Sequence, residues 1–405
     1  MLERVKAAPR AWPWALFAAV LAGAPWVFTS SSAHAILGQM GIAVIACLSY
    51  NILLGQGGML SFGHAVYTGL GAFGAIHALR LVGDGTLALP VSGVPLVGGL
   101  AGLAGAAAFG WLATRKGGTA FAMITLGIGE LAWASALMFP GVFGGEGGVT
   151  ADRTVGGSPW GISLGPSIEL VYLIAIYTGA CTALMYLFTR TALGRLLNAV
   201  RDNAERVAFI GYDPRRIRYL AFMVSAFFAG ISGGLAALAF EIVTADAFGA
   251  ARSGAYLLFT FLGGTGFFVG PLIGGVLMVL AFVLLSEWTR AWLLYVGLAF
   301  LAAVMFAPGG VAGLLLDRSS RGGRGWPAAR LVRIAGAVLA GAGMAALIEL
   351  VYHLQLEAML GPELRFGGLS LHTREASSWW GAALSVLGGA ALFRLAGLRL
   401  RKRGA

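Results

Sequence analysis

Side chains able to handle a small polar solute are few in this sequence, and most gather in one stretch, Asn51-Ile-Leu-Leu-Gly55-Gln56-Gly-Gly-Met-Leu-Ser61-Phe-Gly63-His64. Amide, hydroxyl and imidazole groups spaced in this way offer hydrogen bonds and no covalent chemistry. Asn51, Gln56, Ser61 and His64 are therefore candidates for lining a path. The imidazole suits packing or hydrogen bonding better than proton transfer, since a histidine among small residues rarely carries protons. Thr125 and Glu130 stand inside a long apolar run. A carboxylate at the centre of a bilayer is expensive, so it faces a cavity or a partner. Glu130 reads equally as a pathway carboxylate able to meet a cationic group and as a hydrogen-bonded interhelical contact.

The sequence offers little for catalysis. No cluster of His, Cys, Asp and Glu has ligand or acid-base spacing, so no catalytic, metal-binding or cofactor-binding residue is assigned. Cys47 and Cys181 are the only cysteines and both fall in apolar runs, which suggests neither a disulfide framework nor a thiolate metal site. A phosphate-binding loop is also missing. The nearest approach, Gly263-Gly-Thr-Gly-Phe-Phe-Val-Gly, lacks the lysine and the hydroxyl that such a loop needs.

A second polar segment reads Arg190-Thr-Ala-Leu-Gly194-Arg195-Leu-Leu-Asn198-Ala-Val-Arg201-Asp202-Asn203-Ala-Glu205-Arg206-Val-Ala-Phe-Ile-Gly211-Tyr-Asp213-Pro214. Its periodicity predicts a helix from Leu193 to Phe209. Leu196, Leu197, Val200, Val207 and Ala208 then share one side, with Arg195, Arg201, Asp202 and Arg206 elsewhere. Gly211 suits a C-terminal cap and Pro214 a restart. Such a helix could simply rest on the membrane surface, its basic residues meeting anionic lipid. Tied at both ends to apolar spans, it also has the form of a device for docking a partner and passing on its movement.

The elements that must position these groups are membrane spans. With 58% hydrophobic and 11% charged residues, and apolar runs of roughly 20 residues along the whole length, the chain reads as an all-α, polytopic transmembrane bundle. The net charge of +11 does not point to nucleic acid, because the basic residues lie between apolar runs, where they set orientation. Spans are predicted at 11–28, 36–54, 62–80, 91–113, 119–139, 167–189, 219–243, 255–267, 269–285, 291–307, 331–352 and 378–396. Arg4, Lys6 and Arg10 precede the first run, and Ala33-His34-Ala35 resembles a cleavage site; the second run follows with almost no spacer, which favours an uncleaved first helix.

The 255–285 stretch, broken at Gly263-Gly264-Thr265-Gly266 and Gly270-Pro271, allows one long helix, a re-entrant segment or two short crossings. Two crossings place Arg115-Lys116, the arginines of 190–218, Arg318/Arg321/Arg324/Arg330 and Arg399-Arg401-Lys402-Arg403 all on the side of the N-terminus, as charge bias requires. The expectation is ten core spans and a C-terminal pair, with both termini cytoplasmic. Residues 1–317 would form the core, 318–328 a basic linker and 329–405 a two-helix extension. Gly98 and Gly102, Gly230 and Gly234, and Gly266, Gly270 and Gly274 have the spacing that lets helix backbones approach closely. Among acidic residues outside the spans' centres, Glu241 and Glu287 sit near span ends, within reach of water.

With these features in hand, the chain resembles the permease subunits of bacterial ATP-binding-cassette importers for branched-chain amino acids, specifically the M-type subunit. Gly55 to Phe73 is similar to that family's G-x-x-G-x-x-S-x-G-H-A segment. Gly194 to Gly211 is similar to its G-R-x-x-x-A-x-R-D-N-E-x-x-A loop, and Gly263 to Gly275 to its G-G-x-G…G-P-x-x-G-A segment. The resemblance covers about residues 36 to 312. It implies a permease with no cofactor of its own, half of a heterodimeric pore in the bacterial inner membrane. Cytoplasmic ATP-binding subunits would hydrolyse ATP, a second permease would complete the pore, and a periplasmic substrate-binding protein would deliver the solute. It further implies that Gly194, Arg195, Arg201, Asp202, Asn203, Glu205 and Gly211 belong to a coupling helix seated on the ATPase. This chain departs from the pattern at Val207, where the loop has alanine, and at Val149, where leucine is common after the outer glycine-rich stretch. A secondary transporter driven by an ion gradient is the alternative, since Gly55-Gly63 and Gly263-Gly270 occupy roughly corresponding places in two halves.

Overall fold

The computed structural model describes residues 11–155, 164–289, 291–306, 309–313, 315, 328–355, 363–366, 369–372 and 375–402. The basic residues before position 11 and almost all of the 318–328 linker lie outside the described residues. The helices are α1 (Ala11–Val27), α2 (Ser31–Asn51), α3 (Ala65–Gly83), α4 (Val94–Ala113), α5 (Thr119–Met138), α6 (Ser167–Arg190), α7 (Ala192–Asp202) and α8 (Ala204–Phe209). There follow α9 (Pro214–Phe240), α10 (Ala250–Gly263), α11 (Gly270–Leu280), α12 (Trp292–Phe306), α13 (Ala328–Gln355) and α14 (Ala376–Lys402). Among the described residues, seven helical stretches are long and apolar enough to cross a membrane, and shorter apolar helices add to them. The chain is a helical, multi-pass membrane protein.

The expected 255–285 stretch resolves into two helices joined by residues 264–269, where Gly264 adopts φ +114. At 14 residues, α10 rises about 21 Å, short of a hydrocarbon core of about 30 Å. The 190–218 segment also differs from the single helix expected. Asn203 is extended at φ −160 and splits it into α7 and α8, because the Asn203 side chain accepts a hydrogen bond from Arg206 N and so starts a new helix. Pro214 opens α9 behind an Asp213 cap, as expected.

The chain divides into two compact units, 1–283 with 299–316, and 284–298 with 317–405. In the first, the C-terminal half of α2 is sealed on all sides: Ile45, Ala46, Cys47 and Tyr50 have no exposed surface. Packing depends on small residues. A Cβ on Gly98 (α4) would lie 2.8 Å from the carbonyl oxygens of both Gly230 (α9) and Gly71 (α3), so these three helices cross backbone on backbone. Gly274 packs in the same way against the Phe259 carbonyl of α10, whereas Gly266, in the turn, has open space around it. Two short strands, Val149–Thr150 (β1) and Ile242–Val243 (β2), pair antiparallel and tie the glycine-rich loop after α5 to the end of α9. Arg153 reinforces the tie, donating to the Leu164 and Leu238 carbonyls and pairing with Glu241 at 3.8 Å.

In the second unit α13 and α14 pack side by side, joined through an antiparallel pair, Glu363–Phe366 (β3) with Leu369–His372 (β4). A Cβ on Gly343 would lie 2.8 Å from the Ala382 carbonyl oxygen, another close helix crossing. The Glu349 carboxylate of α13 accepts hydrogen bonds from the Thr289 and Tyr295 hydroxyls, the latter at 3.0 Å. This carboxylate fastens the extension to the segment around the start of α12.

Candidate functional site

Asn51 ends α2 as a regular helix, and the chain then widens into a π-turn over Ile52–Gln56. Such a turn leaves backbone groups mismatched, and it recurs at functional positions for that reason. Gly57, Gly58 and Met59 donate back to the carbonyls of Leu53 and Leu54, and Gly58 sits at φ +62, a conformation that favours glycine. Residues 60–64 then lead into α3. The gap between the expected spans 36–54 and 62–80 is therefore a break in the helix, and the structure shows how it is held.

Four neighbouring helices fasten the break. The Phe62 amide donates to Thr125 Oγ1 of α5 at 3.1 Å, and the Ala65 amide to Ser253 Oγ of α10 at 2.9 Å. Ser225 of α9 donates to the Ser49 carbonyl at 2.6 Å. Arg201 of α7 donates through its guanidinium to the Gly55 carbonyl, and Asn198 donates to Gln56 Oε1 at 2.7 Å. The third glycine-rich segment arrives as well: a Cβ on Gly55 would come within 2.6 Å of the Thr265 carbonyl oxygen. Three motifs far apart in sequence thus meet at one place.

Within the break, polar groups are clipped to each other across the gap. Tyr50 donates to the Ser61 carbonyl at 2.8 Å, and His64 Nε2 stands 2.9 Å from Ser49 Oγ. The Ser49 hydroxyl gives its proton to the Ala46 carbonyl, which assigns N–H to His64 Nε2 and leaves Nδ1 as an acceptor. The imidazole stands edge to face with Tyr50, its centroid 5.0 Å away, and near Tyr67 and Tyr256. Among the described residues, His64 Nδ1, Ser61 Oγ and Asn51 Oδ1 are buried without a hydrogen-bond partner. Unsatisfied buried acceptors are uncommon, and their gathering here marks a place where the chain's own packing leaves polar capacity open.

The other candidates divide. Thr125 is buried against the break, while Glu130, five residues on, stands exposed on the opposite face of α5. That face also carries Met123, Leu131 and the open Gly127. Thr125 and Glu130 therefore do not converge. In the 192–212 region Gly194, Leu197, Val200 and Val207 are buried, whereas Ala208, expected on the same side, is exposed. Gly194 donates to the Thr191 cap at 3.2 Å, and Arg195 lies exposed. Asp202 pairs with Arg201 at 3.2 Å, Glu205 is exposed, and Gly211 closes α8 at φ +91. Phe209, Ile210 and Tyr212 project with large exposed surfaces, 89% for Phe209.

Several residues here escaped sequence reasoning. Asn198 lay inside the quoted segment, one turn before Arg201, and helical spacing alone could have paired them. Ser49, Ser253, Tyr67 and Tyr256 gave no such signal, since each looks like an ordinary residue of an apolar span. In the outer loop, Asp152 accepts from the Thr154 amide and hydroxyl, both at 2.7 Å, and these bonds hold its carboxyl below the usual range.

Comparison with known proteins agrees with this geometry. Residues 32–309 match the model of the family described as branched-chain amino acid transport system / permease component. The chain is 26% identical over 294 residues to the high-affinity branched-chain amino acid transport system permease protein LivM of Escherichia coli K12, covering 67% of each chain. It is 25% identical over 319 residues to LivM of Salmonella typhimurium LT2, covering 73% of this chain and 74% of that one. No solved structure matches. The family match spans every motif that meets at the break, and the chain is a member of the branched-chain amino acid transport permease family.

Proposed function

We propose that this chain is the transmembrane permease subunit of an ATP-driven importer for branched-chain or related amino acids. It forms part of the translocation pathway, works beside a second permease in the bacterial inner membrane with both termini cytoplasmic, and receives solute from a periplasmic binding protein. A separate cytoplasmic ATPase docks on α7 and α8. The observation that carries the reading is the bonded link between the α7 coupling segment and the break, through Arg201 to the Gly55 carbonyl and Asn198 to Gln56. A partner seated on exposed Phe209, Ile210 and Tyr212 would move α7 and α8, and that motion would reach the break directly. Glu130, a carboxylate exposed on a spanning helix, supports an α5 face turned to the pathway or to the second permease, because lipid would not tolerate it.

Uptake in vesicles holding the full complex tests the reading. Branched-chain amino acid uptake should require internal ATP and should stop when the ATPase chain is omitted. Uptake that persists on an ion gradient without ATP would overturn it in favour of secondary transport.

A further inference from the structure

A cavity of about 160 Å³ lies among α2, α3, α9, α10 and α11 and borders the break through Tyr256, whose ring stands near His64. Its walls are chemically divided. Arg252, Gln39, Tyr256, Thr68 and Ser232 supply the polar side, and Ile42, Ala236, Val279 and Phe282 line the apolar one. Ser232 donates to the Ile42 carbonyl at 2.9 Å, so its hydroxyl oxygen remains an acceptor, while Thr68 donates to the Ala65 carbonyl and also bonds Tyr256, which bonds Arg252 in turn. The cavity thus presents one cation, an exposed arginine at its rim bonded to Tyr256 and without a carboxylate partner among the described residues, together with acceptor oxygens and a short apolar wall.

Those features are complementary to a free amino acid with a small aliphatic side chain. Its carboxylate would meet Arg252, its ammonium the acceptor oxygens, and its side chain the apolar wall. At about 30 Å³ per water, the volume equals roughly five waters. That suits one small amino acid and falls short of the ~300 Å³ at which drug-sized pockets begin. We infer that this cavity is a binding site within the subunit for an amphipathic amino acid carried as its carboxylate. The inference deepens the importer reading and rests on it only for the choice of aliphatic ligand.

Equilibrium binding of radiolabelled L-leucine to the purified full-length chain, with any co-purifying partner chains retained, tests it. Leucine should bind saturably. Leucinamide, which lacks the carboxylate, should compete about 10- to 100-fold more weakly, the range a charge-assisted hydrogen bond commands. Arg252→Gln should weaken leucine binding by a similar factor while leaving leucinamide unchanged, and Arg252→Lys should restore part of it. Ala236→Trp should fill the apolar side and abolish binding, with elution in size exclusion reporting that each variant still folds. Absence of saturable leucine binding, equal competition by leucinamide, or binding unaffected by both Arg252→Gln and Ala236→Trp would overturn the site. ATP-driven uptake that continues in those cases would leave the importer reading standing, and ATP-independent uptake with binding intact would do the reverse.

Discussion

Replacing Arg201 and Asn198 by alanine, singly and together, tests whether α7 grips the break. A hydrogen bond from a charged donor contributes about 1.5–3 kcal/mol and a neutral one about 1 kcal/mol. The Arg201 side chain keeps 39% of its surface exposed, so solvent screening lowers its bond to the Gly55 carbonyl to about 1–1.5 kcal/mol. The Asn198 bond to Gln56, 2.7 Å and half-buried, adds about 1 kcal/mol. Together they hold the break by about 2–2.5 kcal/mol, roughly 30- to 60-fold in a gripped-to-released equilibrium. In reconstituted complexes, solute taken up per ATP hydrolysed should fall about five- to tenfold for Arg201→Ala and about fivefold for Asn198→Ala. The double variant should lose about thirtyfold or more while still hydrolysing ATP. Gly58→Ala offers an independent route to the same phenotype: its φ is +62 and its new Cβ would lie 2.7 Å from Arg201 Cγ, displacing the guanidinium without altering it. An unchanged ratio in the double variant would refute the link. Equal loss of hydrolysis and uptake would place the two residues in ATPase docking instead.

Other expectations follow from the same geometry. Gly98→Val should lower the thermal midpoint of the detergent-solubilised protein, because the new side chain pushes against two carbonyls and overpacking costs about 1–3 kcal/mol. Gly127→Ala, on the open α5 face, should not; equal midpoints for the two variants would contradict the crossing described. Gly211→Pro should uncouple hydrolysis from uptake while leaving insertion intact. Proline cannot adopt φ +91, and it removes the amide that donates to Ala208 at 3.0 Å; unchanged transport would remove the coupling role. Glu349→Ala should loosen the extension by about 1–3 kcal/mol, since two hydroxyls lose their acceptor. Faster trypsin cleavage after Arg333 would report this, and unaltered proteolysis would refute it.

Much of the architecture was legible because lipid leaves a chain few choices. Apolar length located the described helices, although α2, α9 and α10 begin at Ser31, Pro214 and Ala250, ahead of the expected 36, 219 and 255, and glycine spacing found Gly98 and Gly230 before their helices were seen to cross. Punctuation was equally readable where it was local: Pro214 opens α9 and Gly211 closes α8, since proline and glycine act on their own backbone. The Asn203 break was missed because an asparagine is compatible with helix and with cap, and only the fold decides between them.

Fastening at the site was not legible. Thr125 and Glu130 seemed one pair of path candidates by proximity, yet five residues on a helix turn them to opposite faces. Arg201 seemed a surface charge for a partner, and it reaches inward to the Gly55 carbonyl. By itself the sequence determined the membrane class, the three glycine-rich and charged motifs and the family they belong to, because these are properties of short segments and of composition. Only the tertiary structure decided that the motifs meet, that Ser49, Tyr50 and Ser253 hold the break, and that Arg252 faces a cavity. Those facts depend on which residues distant in the chain become neighbours, and no local pattern encodes that choice.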